Sequence, residues 1–433
     1  MNKLAANQVL ETALDLADAD DVEVSLIGNA SGFTRLADNV ITQNVANQNV
    51  SLHVRCAFGQ SHGQATTNDL DTASLKAVVE RAQSIAKISP PDPEYLPPVE
   101  ACEVKKYSKV KAYFLATAKL SPLTKAWQIS QALNVIKAKN YRLSGGFGNG
   151  DNFFAFANSA GLRAYHRSSN AEIHATALGT NGSGWAEKIS NDVKDINVTE
   201  VASRALEIAE TAQNAADIPA GKYTVILRPA AVAELLLFGL SGFDAKATDE
   251  QRTFLRGKLG TQICGNRISI RSDPSDQRCL SMPFCDDGLV APACSWIEQG
   301  MVKNLFYSRF WAKKQGRSPT GWPSNIIMEG GDDTVDRMIA ATPCGLLVTR
   351  FWYIRDVDPM IPLVTGMTRD GLFLIENGKV AKPVKNMRFN ENLVDVLNRV
   401  EMLGTPERTG EYISMLVPPL KIRDFNFTST TKF

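Results

Sequence analysis

The chain has 433 residues, 44% of them hydrophobic and 21% charged, which excludes a disordered chain and suits roughly two to three domains of about 150 residues each. With 47 Lys and Arg against 46 Asp and Glu, the net charge of +1 gives no electrostatic case for nucleic acid or an anionic membrane as a partner. Seven cysteines with no CxxC pair, a polar start and no apolar run of spanning length point to a reducing cytoplasm rather than to secretion or a membrane.

Residues 3–18 place Leu4, Val9, Leu10, Leu14 and Leu16 at helical spacing, and Val22–Leu26 then alternates with the period of a half-buried strand. Short strands are expected at 32–36, 40–43, 51–58 and 62–66, followed by a helix over 72–88 capped by Asp69 or Asp71. Residues 89–98 hold five prolines and read as an extended connector. The run 105–113 interleaves four lysines with Tyr107 and Tyr113, a pattern that suits a solvated edge strand better than a nucleic-acid surface. A helix over 122–138 opens with Pro122. Strands follow at 143–147, 152–158, 163–169, 172–179 and 184–188, then a helix over 199–215. Gly179–Gly184 resembles a phosphate loop but lacks the Lys-Ser/Thr ending, so it reads as a hairpin tip.

From 222 onward the pattern is mostly strand. Hairpin turns are expected at Glu298-Gln299-Gly300 and Glu376-Asn377-Gly378, and helices at 230–240, 333–341 and 391–402, with Asp332 or Asp333 as the cap of the second. The divisions that follow are an N-terminal α/β domain at 1–90, the connector at 91–105, a second α/β region at 106–218 and a strand-rich domain at 219–433. The segment Pro229–Gly242 is apolar on every face except at Glu234, the pattern of a buried helix in which that carboxylate is paired or lies near an exposed end.

The residues that carry zinc or nucleophilic chemistry are sparse. The four histidines, His53, His62, His166 and His174, all lie in strand-like segments of the first half. His166 and His174 sit across an expected hairpin, where they could face each other over a metal, though ordinary hydrogen-bonded imidazoles suit them better. Cys279, Cys285 and Cys294 lack the paired spacing of a structural zinc site and read as buried or loop thiols. The aromatic runs Phe306-Tyr307 and Phe351-Trp352-Tyr353 read as core or interface packing.

Several segments together resemble one family, the TldD/PmbA proteins, once called modulators of DNA gyrase. They are 33–44 (FTRLADNVITQN), 285–288 (CDDG), 297–300 (IEQG), 345–350 (GLLVTR), 368–379 (TRDGLFLIENGK) and 383–389 (PVKNMRF). The resemblance implies an α+β fold in two parts, an α/β N-terminal half and a strand-rich C-terminal half. It further implies a zinc metallopeptidase whose catalytic branch, TldD, carries HExxxH on the helix matching 230–242 and a cysteine ligand near the C-terminus. That branch works with a non-catalytic paralogue, TldE, also named PmbA. In this chain the two histidine positions and the glutamate position are taken by Leu237, Gly242 and Phe238, and residues 410–420 contain no cysteine. Leucine and phenylalanine neither bind Zn²⁺ nor accept a proton. The expectation is therefore a TldE-like, non-catalytic subunit of a peptidase assembly, with no catalytic or metal-ligand residue and no cofactor of its own. Its partners would be a zinc-bearing TldD-like paralogue, or a second copy of itself, and a peptide. Two other expectations stay open: an independent metal-dependent peptidase rebuilt around His166, His174 and a cysteine, and a homo-oligomeric peptide-binding module.

Overall fold

The computed structural model describes residues 1–104, 106–410 and 413–431. The chain opens with α1 (Lys3–Asp15), then β1 (Asp21–Ala37), β2 (Val40–Phe58), β3 (Ser61–Thr67) and α2 (Thr72–Ile88). After the Pro-rich segment come α3 (Leu115–Ala118), α4 (Pro122–Ala138), β4 (Arg142–Asn158), β5 (Arg163–Leu178), β6 (Ser183–Ser190) and α5 (Val198–Thr211). These six strands form one antiparallel sheet in the order β3-β2-β1-β4-β5-β6, so strands from both sides of the Pro-rich segment share it. Apolar side chains of α1 and α2 pack with Val22, Val24 and Leu26, and those of α4 and α5 pack with Phe147 and Ile173.

Strands in this sheet are longer than the sequence pattern suggests. β1 and β2 form one continuous hairpin through Asp38 and Asn39, both at positive φ (47° and 65°), the backbone a two-residue type I′ turn needs. Interior glycines and asparagines, which read as breaks, sit inside the strands. A Cβ on Gly146 would lie 2.1 Å from the Phe33 ring, so that glycine makes room for an aromatic ring.

The Pro-rich segment is tied down. Asp92 pairs with His62 at 3.0 Å, Tyr95 donates to Asp21 at 2.6 Å and Glu94 pairs with Lys246 at 2.6 Å. Among residues 106–113 no strand forms, contrary to the edge-strand expectation. Tyr107 instead donates to the Gly288 carbonyl at 2.6 Å and Tyr113 lies under the Arg167 guanidinium. Lys105 lies outside the described residues.

The rest of the chain comprises β7 (Gly221–Leu227), α6 (Pro229–Gly239), β8 (Ile270–Ser272), β9 (Cys294–Glu298), β10 (Met301–Val302) and β11 (Asn325–Met328). Next come β12 (Cys344–Asp358), β13 (Leu363–Glu376), β14 (Lys379–Pro383), β15 (Met387–Asn392), β16 (Val400–Leu403), β17 (Glu407–Thr409), β18 (Ser414–Val417) and β19 (Leu420–Thr430). One sheet runs β10-β9-β8-β11-β18-β17. The other follows β12-β7-β19-β15-β13, and pairing of β12 with β13 closes that path into a ring filled by Phe351, Phe389, Phe425 and Phe427. Hairpins turn at Gln299-Gly300 and Asn377-Gly378, as their residues require. The helix over 335–340 is capped by Thr334 rather than by Asp332 or Asp333, and Asp333 pairs instead with Arg337 at 3.2 Å. Among the described residues no helix is long and apolar enough to cross a membrane.

Candidate functional site

Helix α6 follows β7 directly. Proline at its first turn fixes the start, and its apolar faces pack Val232 and Leu235 into the largest core cluster. The opposite side looks into a groove of about 370 Å³. Glu234, Leu237 and Phe238 line it from α6, Arg350, Trp352 and Tyr353 from β12, and Trp185 and Glu187 from β6. The N-terminal sheet and the C-terminal ring therefore meet there. Two strands offer edges nearby: among the described residues β6 pairs only with β5, and β12 beyond Val348 pairs only with β13.

Three arginines stack on the aromatic rings around this groove. Arg350 lies 4.6 Å from the Trp185 ring centre, Arg369 lies 4.0 Å from Trp352 and Arg355 lies 4.4 Å from Tyr353. Trp352 and Tyr353 are 41% and 56% exposed, whereas Phe351 beside them is fully buried. Of the three, Phe351 is core packing, while Trp352 and Tyr353 lie at the surface of the chain.

Glu234 Oε2 accepts a hydrogen bond from the Phe351 N–H at 2.6 Å. Burial pushes its carboxyl up to about 8, against the opposing pull of Arg350. Its principal form at neutral pH is therefore the protonated acid, a poor general base or metal ligand.

Leu237 and Phe238 present hydrocarbon to the groove, and Gly242 is buried in the short turn after α6. A Cβ on Gly242 would lie 2.0 Å from the Phe254 ring, so the position has no space for an imidazole. Of the stretch 410–420, Glu411 and Tyr412 lie outside the described residues.

The remaining candidates are scattered. His166 and His174 are both on β5, one continuous strand, so the expected hairpin between them is absent. Eight residues of strand separate them by ~26 Å. Burial pushes His166 down to about 4, and His174 stacks on Phe33. Cys279 bonds Ser414 Oγ at 3.3 Å, while burial pushes Cys294 up to about 11 and Cys285 up to about 12, so these thiols stay protonated. Cys285 opens on a larger cavity of about 580 Å³ under the Pro-rich segment, whose charges pair as Arg55–Glu23 at 2.9 Å and Arg309–Asp287 at 4.0 Å.

Comparison with known proteins gives this groove its context. Residues 220–429 match the model for the PmbA/TldA metallopeptidase C-terminal domain, and residues 22–86 match that for PmbA/TldA metallopeptidase domain 1. The chain belongs to the PmbA/TldD family. It is 24% identical to metalloprotease PmbA of Escherichia coli O157:H7, covering 96% of this chain and 95% of that protein. An uncharacterized protein of Methanocaldococcus jannaschii is 27% identical over 240 residues, so that match spans about half of each chain (50% and 54%). The fold is that of TldE from Thermococcus kodakarensis, with a TM-score of 0.86 at 18% identity over 98% of this chain and 99% of that one.

A metallopeptidase family implies a metal, and the groove of this PmbA/TldD-family chain does not fit one. Its α6 positions supply two hydrocarbon side chains and a protonated acid, and no histidine reaches it. Among the described residues no group of three or more His, Cys, Asp or Glu stands ready to hold an ion. Sequence reasoning located α6 but missed Arg350 and Trp185, which lie 165 positions apart and meet only through the tertiary fold. One signal was available: Arg350 ends a segment, 345–350, that carries the family resemblance.

Proposed function

We propose that this chain is a non-catalytic, TldE-like subunit of a peptidase assembly, which binds peptide in the α6 groove and pairs with a zinc-bearing paralogue. The observation that carries this reading is the chemistry of α6. Leu237 and Phe238 line the groove, Gly242 is closed off by Phe254, and Glu234 is neutral and bonded to backbone. Such a surface has lost the means to activate water but retains what extended peptides bind to. The edges of β6 and β12 can take an added strand, and the exposed rings of Trp352 and Tyr353 can hold its side chains.

The test measures zinc and peptidase activity on one purified sample, followed by capture of an HExxxH-bearing paralogue. Less than about 0.1 zinc per chain, no cleavage alone, and cleavage on adding the paralogue are expected. Near-stoichiometric zinc with chelator-sensitive cleavage by the isolated chain would refute the reading.

A further inference from the structure

At the N-terminal end of α6 the groove continues into a smaller cavity of about 40 Å³, lined by Arg204, Arg228, Thr349 and Arg408 and sharing Glu187, Ala230 and Thr409 with the groove. Arg228 is the N-cap residue of the 11-residue helix, and no side chain caps the first turn. The partial positive charge of that helix end thus points into the cavity without an internal acceptor.

Two side chains there lack partners. Arg228 Nε is sealed from solvent with no hydrogen bond, and no carboxylate among the described residues pairs with its guanidinium. Thr349, 2% exposed, likewise has an unpartnered Oγ1. Among the described residues Arg408 bonds only neutral acceptors, Asn191 Oδ1 at 2.7 Å and Ser414 Oγ at 3.1 Å. The two carboxylates that face the cavity are already engaged, Glu407 by Arg204 at 3.6 Å and Glu187 by the Thr409 hydroxyl. Burial, with Arg204 adding to it, pushes Arg228 down to about 10. An unpartnered guanidinium Nε, a buried free hydroxyl and an uncapped helix end therefore converge on a space of one or two water volumes, and Glu407, Asp336 and Glu207 act on Arg228 only from beyond ion-pair distance.

We infer that this cavity receives a carboxylate, and that its source is the free C-terminus of the peptide lying in the groove. The volume admits one small anionic group, and the continuous wall at Ala230 and Thr409 lets the rest of the ligand run into the groove. A planar carboxylate can meet the guanidinium while accepting from the Thr349 hydroxyl. The source of the carboxylate rests on the peptide-binding reading of the groove, whereas the anion site rests on Arg228, Thr349 and the helix end alone.

The test uses the full chain and a fluorescein-labelled peptide in two forms, with a free C-terminal carboxylate or a C-terminal amide, titrated by anisotropy. The acid should bind wild type about 10- to 100-fold more tightly than the amide, as loss of one charge-assisted contact predicts. Arg228→Met should remove the difference, and Thr349→Val should weaken the acid alone. The wild-type comparison needs no variant, so poor folding of either one leaves the result readable. Equal binding of acid and amide would overturn the carboxylate site and leave the peptide reading intact. Binding of neither would overturn the peptide source. In that case a rise in melting temperature with acetate or inorganic phosphate, seen in wild type and absent in Arg228→Met, would sustain the anion site alone, and its absence would overturn that too.

Discussion

Replacing Glu234 with glutamine isolates the cost of the carboxyl that α6 presents to the groove. Glutamine keeps an oxygen to accept from the Phe351 N–H and removes the charge. In the folded chain the carboxyl titrates at about 8, against 4.5 for an ordinary glutamate. The folded state therefore retains a proton that the unfolded chain releases above 4.5. Stability contributed by the neutral acid falls as pH rises through that window and levels off above about 8. At about 1.4 kcal/mol per pH unit, the wild type loses about 3 kcal/mol between pH 4.5 and 7 and about 1 kcal/mol more by pH 8. Glu234→Gln escapes both. The two proteins should have equal urea midpoints near pH 4.5, with the variant increasingly the more stable toward pH 8. Subtracting one curve from the other cancels the titration of every other group. A gap that stays constant across this range, or one that moves in favour of the wild type, would refute the account of Glu234 as a buried neutral acid.

Two further substitutions probe the same helix and the groove wall. Gly242→Ala should destabilise by about 1–3 kcal/mol, because its Cβ would overlap the Phe254 ring, and Phe254→Leu in the same chain should recover part of the loss; an unchanged denaturant midpoint would show that the turn has room. Trp352→Ala removes a half-exposed ring, so the melting temperature should hold while peptide affinity falls about tenfold; unchanged affinity would place the peptide elsewhere.

What the sequence made legible was local. The turns at Gln299-Gly300 and Asn377-Gly378 need only two residues with positive φ, and those residue types declare themselves. The Asp38-Asn39 turn has the same backbone, yet the asparagine-rich strand after it resembles loop, so the hairpin read as fragments. Gly148 falls in an expected break until the ring of Phe33 is found against it. The α6 positions that lack zinc ligands were legible by resemblance. The arginine–aromatic wall was not, since Trp185 and Arg350 belong to different sheets. Arg228 was equally silent: before a proline it looks ordinary, and its unpartnered Nε is visible only in three dimensions.

The central pairing of the first sheet sets a timetable for synthesis. β1 finds one neighbour at once in β2, but its other edge, Glu23 to Leu36, is covered only by residues 145–158 of β4. At ~5–20 residues per second, some 100 further residues occupy the ribosome for about 5–20 s after the β1–β2 hairpin has emerged. Throughout that interval the Glu23–Leu36 edge of β1 stays unpaired, while α1 and then α2, both made before β4, cover the apolar face of Val22, Val24 and Leu26. A nascent chain stalled in the Pro-rich segment would hold that edge open indefinitely, a template on which the strand of another chain can add.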